Sequence, residues 1–96
     1  MREIYFGEFR LQVIQHIREI EADDPEYQST EWYLIKYLKR IVKTSNPPVT
    51  RGRVDNSMRA LIRFYVDMVE EQSDLGERCK RINEEYRKAL RDEQES

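Results

Sequence analysis

Apolar side chains in this chain recur at helical spacing throughout, and the longest such pattern lies in its second half. Steps of four and three from Val54 reach Met58, Leu61, Tyr65, Met68, Gln72, Leu75, Cys79, Ile82, Tyr86 and Ala89, with Gln72 the one polar interruption. A seven-residue repeat of this kind predicts a helix with one continuous apolar edge. It is compatible with one long helix or with two helices joined near Gly76. Ser73-Asp74-Leu75-Gly76-Glu77 holds a capping-box pattern, Asp74 with Glu77 three later, which favours a turn there.

Two shorter patterns precede it. Phe6, Phe9, Val13, Ile17 and Ile20 form the stripe of an amphipathic helix from about Tyr5 to Glu21, leaving Ile4 and Leu11 off the main stripe. A second helix, opening at Asp24-Pro25 or at Ser29 or Thr30, runs to about Lys43 around Leu34, Leu38 and Ile41, widened by Ile35 and Val42. Asn46-Pro47-Pro48 then breaks the chain, because proline removes amide donors and pushes the preceding residue out of helical geometry. The third helix is expected from Thr50, with Val49 packing on Val54. Its broad apolar face takes in Ile62, Phe64, Val66 and Val69. The fold class expected is all-α: one domain over residues 1–96, a small bundle of three or four helices. The last one or two form a long heptad-patterned helix or a helical hairpin, fraying over 92–96.

The repeat is poorly suited to a parallel two-stranded coiled coil. With Val54 and Leu61 at d, the a positions are Met58, Tyr65, Gln72, Cys79 and Tyr86, none of them β-branched. Intramolecular or antiparallel packing suits it better. The stretch 75–89 exceeds what two short helices can cover, so a protein interface or homodimer on Leu75, Cys79, Ile82 and Tyr86 is one expectation.

Charge changes the picture more than composition does. The net charge of −2 hides a basic centre between acidic flanks. Residues 1–35 carry three basic and eight acidic side chains, and residues 64–96 carry six and ten. Residues 36–63 carry Lys36, Lys39, Arg40, Lys43, Arg51, Arg53, Arg59 and Arg63 against Asp55 alone. At about 100° per residue, Lys36, Arg40 and Lys43 fall opposite Leu38, with Lys39 at the flank and Trp32 and Tyr33 on the same outer half. Long basic stems solvating a helix give this pattern. So does a surface for polyanions, with aromatic rings on which bases stack.

Chemistry of the catalytic kind is thin. His16 is the only histidine and borders the first apolar stripe, as a bonded core-edge residue does. Cys79 is the only cysteine, so an internal disulfide and a structural zinc site both lack ligands, and no cofactor is expected. The three glycines, at 7, 52 and 76, make no phosphate-binding loop. No apolar run approaches the roughly 18–20 residues of a membrane span, and no secretion signal opens the chain, so a cytoplasmic protein is expected.

Val49-Thr50-Arg51-Gly52-Arg53-Val54-Asp55-Asn56-Ser57-Met58-Arg59-Ala60-Leu61 resembles the recognition helix of helix-turn-helix and winged-helix regulators. In that likeness Thr50 opens the helix and Val54, Met58 and Leu61 pack inward. Arg51 and Arg53 would then meet base edges, and Arg59 a phosphate. The preceding turn is longer than the family's and carries two prolines, and no wing hairpin follows. The function expected is a non-enzymatic binding or regulatory protein. Trp32, Lys36, Lys39, Arg40, Lys43, Arg51, Arg53 and Arg59 would dock an acidic partner, nucleic acid first and an acidic protein surface second. No small-molecule substrate and no membrane are expected.

Overall fold

The computed structural model describes residues 6–46 and 51–95. Within them lie four helices and no strand: α1 (Gly7–Ala22), α2 (Thr30–Thr44), α3 (Arg51–Met68) and α4 (Asp74–Glu95). Each helix packs on the next, and α4 returns to α1, closing an up-down-up-down ring. Cross-helix contacts give the antiparallel sense. Phe9 meets Tyr86 while Glu19 meets Arg78, and Thr44 meets Ser57 while Tyr37 stacks on Phe64. No helix among the described residues is long and apolar enough to cross a membrane.

The α1 stripe is buried at every position, Phe6, Phe9, Val13, Ile17 and Ile20. From α2 come Leu34, Ile35, Leu38 and Ile41; from α3 come Val54, Met58, Leu61 and Phe64. The expected breadth of α3's apolar face survives in part: Phe64 is buried and Val69 packs against the core, while Ile62, Val66 and the stripe residue Met68 are exposed, because the face that meets the core is centred on Leu61. Leu11 is exposed too, in keeping with its place off the stripe, while Ile4 lies outside the described residues.

Local chemistry sets the helix ends. Ser29, not Asp24, caps α2, its Oγ accepting the Trp32 amide at 3.2 Å. Asp24 and Gln28 instead adopt φ of 49° and 62°, the left-handed turns that carry the chain between α1 and α2. At the far end Arg10 of α1 donates through Nε to the Val42 carbonyl at 3.2 Å, supplying one of the orphan acceptors of α2's last turn. The expected opening of α3 at Val49 and Thr50 lies outside the described residues.

The heptad stretch is two helices. Ser73, rather than Asp74, supplies the cap: its Oγ accepts the Gly76 amide at 3.0 Å and donates to the Glu70 carbonyl at 2.6 Å. Gly76 is required here. A Cβ on it would stand 2.4 Å from the Glu70 carbonyl oxygen and 2.5 Å from that of Glu71. Beyond the turn, α4 stays helical through Glu95, past Asp92 where fraying is expected from sequence. Arg78 crosses to Glu19 of α1, and Glu77 pairs with Lys80 one turn on.

Candidate functional site

Helix α2 presents two faces because its apolar residues fall three and four apart. With Leu34, Leu38 and Ile41 turned into the core, Lys36, Lys39, Arg40 and Lys43 are forced outward, and all four are exposed. None of them belongs to an ion pair among the described residues. Among the described residues, the one specific contact of the four heads is that of Lys36 Nζ, 5.0 Å from the centre of the Trp32 ring, a cation–π geometry.

The aromatic residues form a run along the same side. Tyr27 meets Trp32 edge-on at 4.9 Å between centroids, and Trp32 meets Tyr33 edge-on at 5.0 Å. Tyr27 is 75% exposed, while Trp32 and Tyr33 are half-buried. Two shallow hollows flank the run. One, of about 310 Å³, is formed by Tyr33, Lys36, Tyr37 and Arg40, residues three and four apart on one strip of the helix. The other, of about 330 Å³, has Trp32, Lys36 and Lys39 facing Glu21, Asp24 and Pro25. The two carboxylates there lower the local positive potential. The first hollow has no acidic residue in its lining.

Helix α3 contributes less than the sequence pattern promises. The Thr44 and Ser57 hydroxyls lie 2.9 Å apart and pin the end of α2 to the first turns of α3, so Lys43 and Arg53 sit at the same end of the bundle. Arg53 is exposed and has a further interaction of its own. The side chain of Arg51 lies outside the described residues. Arg59 stands on the outer face of α3 with its side chain 78% exposed, and its nearest carboxylate is Asp55 at 3.9 Å.

The expected interface on the last helix is taken by the chain itself. Cys79, Ile82 and Tyr86 are buried against α1 and α3, and Leu75 is half-buried beside them. Tyr86 is stacked on Phe6 and tilted against Phe9, with ring centroids 6.0 and 5.4 Å away, and its hydroxyl donates to Asp55 of α3 at 2.5 Å. The physical reason is the break between α3 and α4: it lets α4 fold back along α1, which covers the seam that two short helices were expected to leave open. Burial pushes the Cys79 thiol up to about 11, against a weaker opposing pull from Arg78.

Sequence reasoning missed a polar cluster between α1 and α4. Buried His16 is bonded on both ring nitrogens, Nε2 to Glu85 and Nδ1 to Arg78, each at 2.9 Å, and Arg78 also reaches Glu19 at 2.9 Å. The Arg78 hydrogen bond, with a smaller contribution from Gln15, holds the Glu19 carboxyl below its usual range. The partners are some 60 to 70 positions apart in the chain, so no local pattern signals them. Among the described residues, no three His, Cys, Asp or Glu side chains converge on a point where a metal could sit. Comparison of the chain with protein-family models, with characterised proteins and with solved structures finds no match.

Proposed function

We propose that this protein binds nucleic acid through the outer face of α2, with Lys36, Lys39, Arg40 and Lys43 on phosphates and Tyr33 and Trp32 beside the bases. The observation that carries the reading is that these four cations are exposed and outside every ion pair among the described residues. Carboxylates are plentiful in the chain, 19 in all, yet those in ion pairs among the described residues, Glu19, Asp55, Glu71, Glu77 and Glu85, pair with other side chains. A purely solvating face needs no aromatic run, and here three rings, Tyr27, Trp32 and Tyr33, lie along it. Aromatic rings beside unpaired cations suit unpaired bases, which offer a π face whatever the sequence. Single strands are therefore favoured over duplex. The acidic remainder of the protein opposes indiscriminate attraction and confines binding to this strip.

Trp32 is the only tryptophan, so its fluorescence reports the site directly. Titration of short single-stranded and duplex DNA and RNA at low and moderate salt should quench Trp32 with single strands first. With four phosphates neutralised, affinity should fall about 50-fold for a fourfold rise in salt, from a slope of about −0.7 per phosphate. Reversing Arg40 and Lys43 to Glu should abolish binding and leave the fold intact. Binding that ignores salt, or no binding at low salt, refutes the reading. Salt-sensitive binding to an acidic protein without Trp32 quenching by any oligonucleotide transfers the same surface to a protein partner.

A further inference from the structure

The exposed side of α3 has a symmetry that the bundle itself does not use. Along it Ile62 is 41% exposed and Val66 70%, one turn apart, in a helix whose inner face already fills the core. Their flanks are charged in order. Arg59 and Arg63 lie toward the start of the helix and Asp67 toward its end, all three exposed. Arg63 and Asp67 belong to no ion pair among the described residues, and Arg59 has only the long contact to Asp55. At about 100° per residue, Arg59 and Val66 fall near the centre of this face. Ile62 lies on one flank, and Arg63 and Asp67 on the other.

We infer that α3 is the interface of a homodimer in which two copies of this helix pack antiparallel about a two-fold axis between residues 64 and 65. A two-fold axis lying in the interface and perpendicular to an antiparallel pair keeps each flank facing the same flank and inverts the order along the helix. Two contacts then close together. Ile62 meets Val66 of the other copy on the apolar flank, and Arg63 meets Asp67 on the polar flank. Each forms twice, as an isologous contact requires. The two pairs centre within one residue of each other, so a single axis closes both. In parallel, by contrast, each arginine would face an arginine.

The neighbouring relief fits a second copy. The α3–α4 contact is the thinnest of the four helix pairs. It leaves a groove of about 190 Å³ bordered on α3 by Ile62, Tyr65 and Val66 and on α4 by Asn83 and Arg87. The Val66 side chain of the second copy reaches that border from above. One helix pair is a small interface, below about 1,200 Å² in total, so the dimer is a weak one.

Sedimentation of the full chain over a wide concentration range, at low and high salt, tests this. The expected result is a monomer–dimer equilibrium that salt weakens. Arg63→Glu or Asp67→Arg alone should weaken it at least about tenfold, and the two together should restore it to within about threefold of the original. Val66→Asp should leave a monomer. All of these positions are exposed, and an unchanged far-ultraviolet circular dichroism spectrum verifies that each variant is folded. A chain that stays monomeric at millimolar concentration overturns the inference. So does a dimer indifferent to Val66→Asp, or a double charge swap that fails to recover association.

Discussion

Arg78 Nη1 lies 2.9 Å from Nδ1 of His16, and this contact fixes the tautomer of the ring. A guanidinium only donates, so Nδ1 must accept and the ring proton must sit on Nε2, where it is donated to Glu85. The contact to Glu85 is therefore a hydrogen bond from a neutral imidazole to a carboxylate. One residue of α1 thereby joins two turns of α4, with Arg78 reaching on to Glu19.

Nitrogen-15 spectra of the ring should show a protonated Nε2 and a bare Nδ1 at neutral pH. Arg78→Leu should release that constraint, admit the other tautomer and cost about 1–3 kcal/mol, the range for a buried group left without its partner. Because Arg78 carries both the His16 and the Glu19 bond, His16→Ala and Arg78→Leu should be strongly non-additive in urea unfolding. A wild-type ring protonated on Nδ1 would contradict the assignment.

Tyr86 divides its contribution between ring and hydroxyl, and the two can be separated. Tyr86→Phe keeps the contacts with Phe6 and Phe9 but deletes the donor to Asp55, a charged acceptor, and should cost about 1.5–3 kcal/mol. Tyr86→Ala also removes the ring and should cost about 3–5 kcal/mol. Equal losses for the two variants in chemical denaturation would show that the packing of the ring counts for nothing.

The Cys79 thiol gives the protein a dependence on alkaline pH. Its folded value of about 11 lies above that of an exposed thiol, about 8.5–9, because burial disfavours the thiolate. Between those values the unfolded chain binds fewer protons than the folded one, so stability is full below pH 8.5, falls as pH rises, and the loss is complete near pH 11. Its size is about 2–3 kcal/mol. Unfolding of Cys79→Ala followed over the same range should lack this component. At pH 8 the native thiol should resist iodoacetamide and react once the chain is unfolded, since only the thiolate attacks.

Stripes were legible in the sequence wherever one helix makes its own pattern. Phe6 to Ile20 is buried as its spacing requires, and Leu34, Leu38 and Ile41 turn Lys36 to Lys43 outward. The seven-residue repeat left one helix or two open because Met58–Leu61 and Cys79–Ile82 lie in phase across a turn, and phase alone does not say which it is; the turn that the capping pattern favoured is the one found. Ser73 and Gly76 were the local signs of the break, with Ser73 as the cap where Asp74 was expected. What sequence could not tell was which apolar residues exceed the room available. Ile62 and Val66 look like core by type, yet the bundle closes without them. The surroundings of His16 were hidden for a different reason: they are made by residues far apart in the chain, brought close only when α1 and α4 pair.

Two glycines in helices should respond to alanine with opposite sign. Propensity alone makes Gly→Ala favourable by up to about 1 kcal/mol in a helix. At Gly52, in the first turn of α3, nothing lies within 4 Å of the added Cβ, so a gain of a few tenths of a kcal/mol is expected, reduced from the full value by its place near the helix end. At Gly76 the same Cβ meets two backbone carbonyl oxygens that cannot rotate away as a side chain could. Relief demands opening the turn at 69–73, which breaks the Ser73 cap and shifts α4 against α1. A loss of about 2–4 kcal/mol should follow, the overpacking cost plus the cap. Thermal or urea unfolding of the two variants measures the contrast. A Gly76→Ala protein as stable as Gly52→Ala would mean that α3 and α4 are not joined through this tight contact, and that the repeat passes from one to the other as a continuous helix.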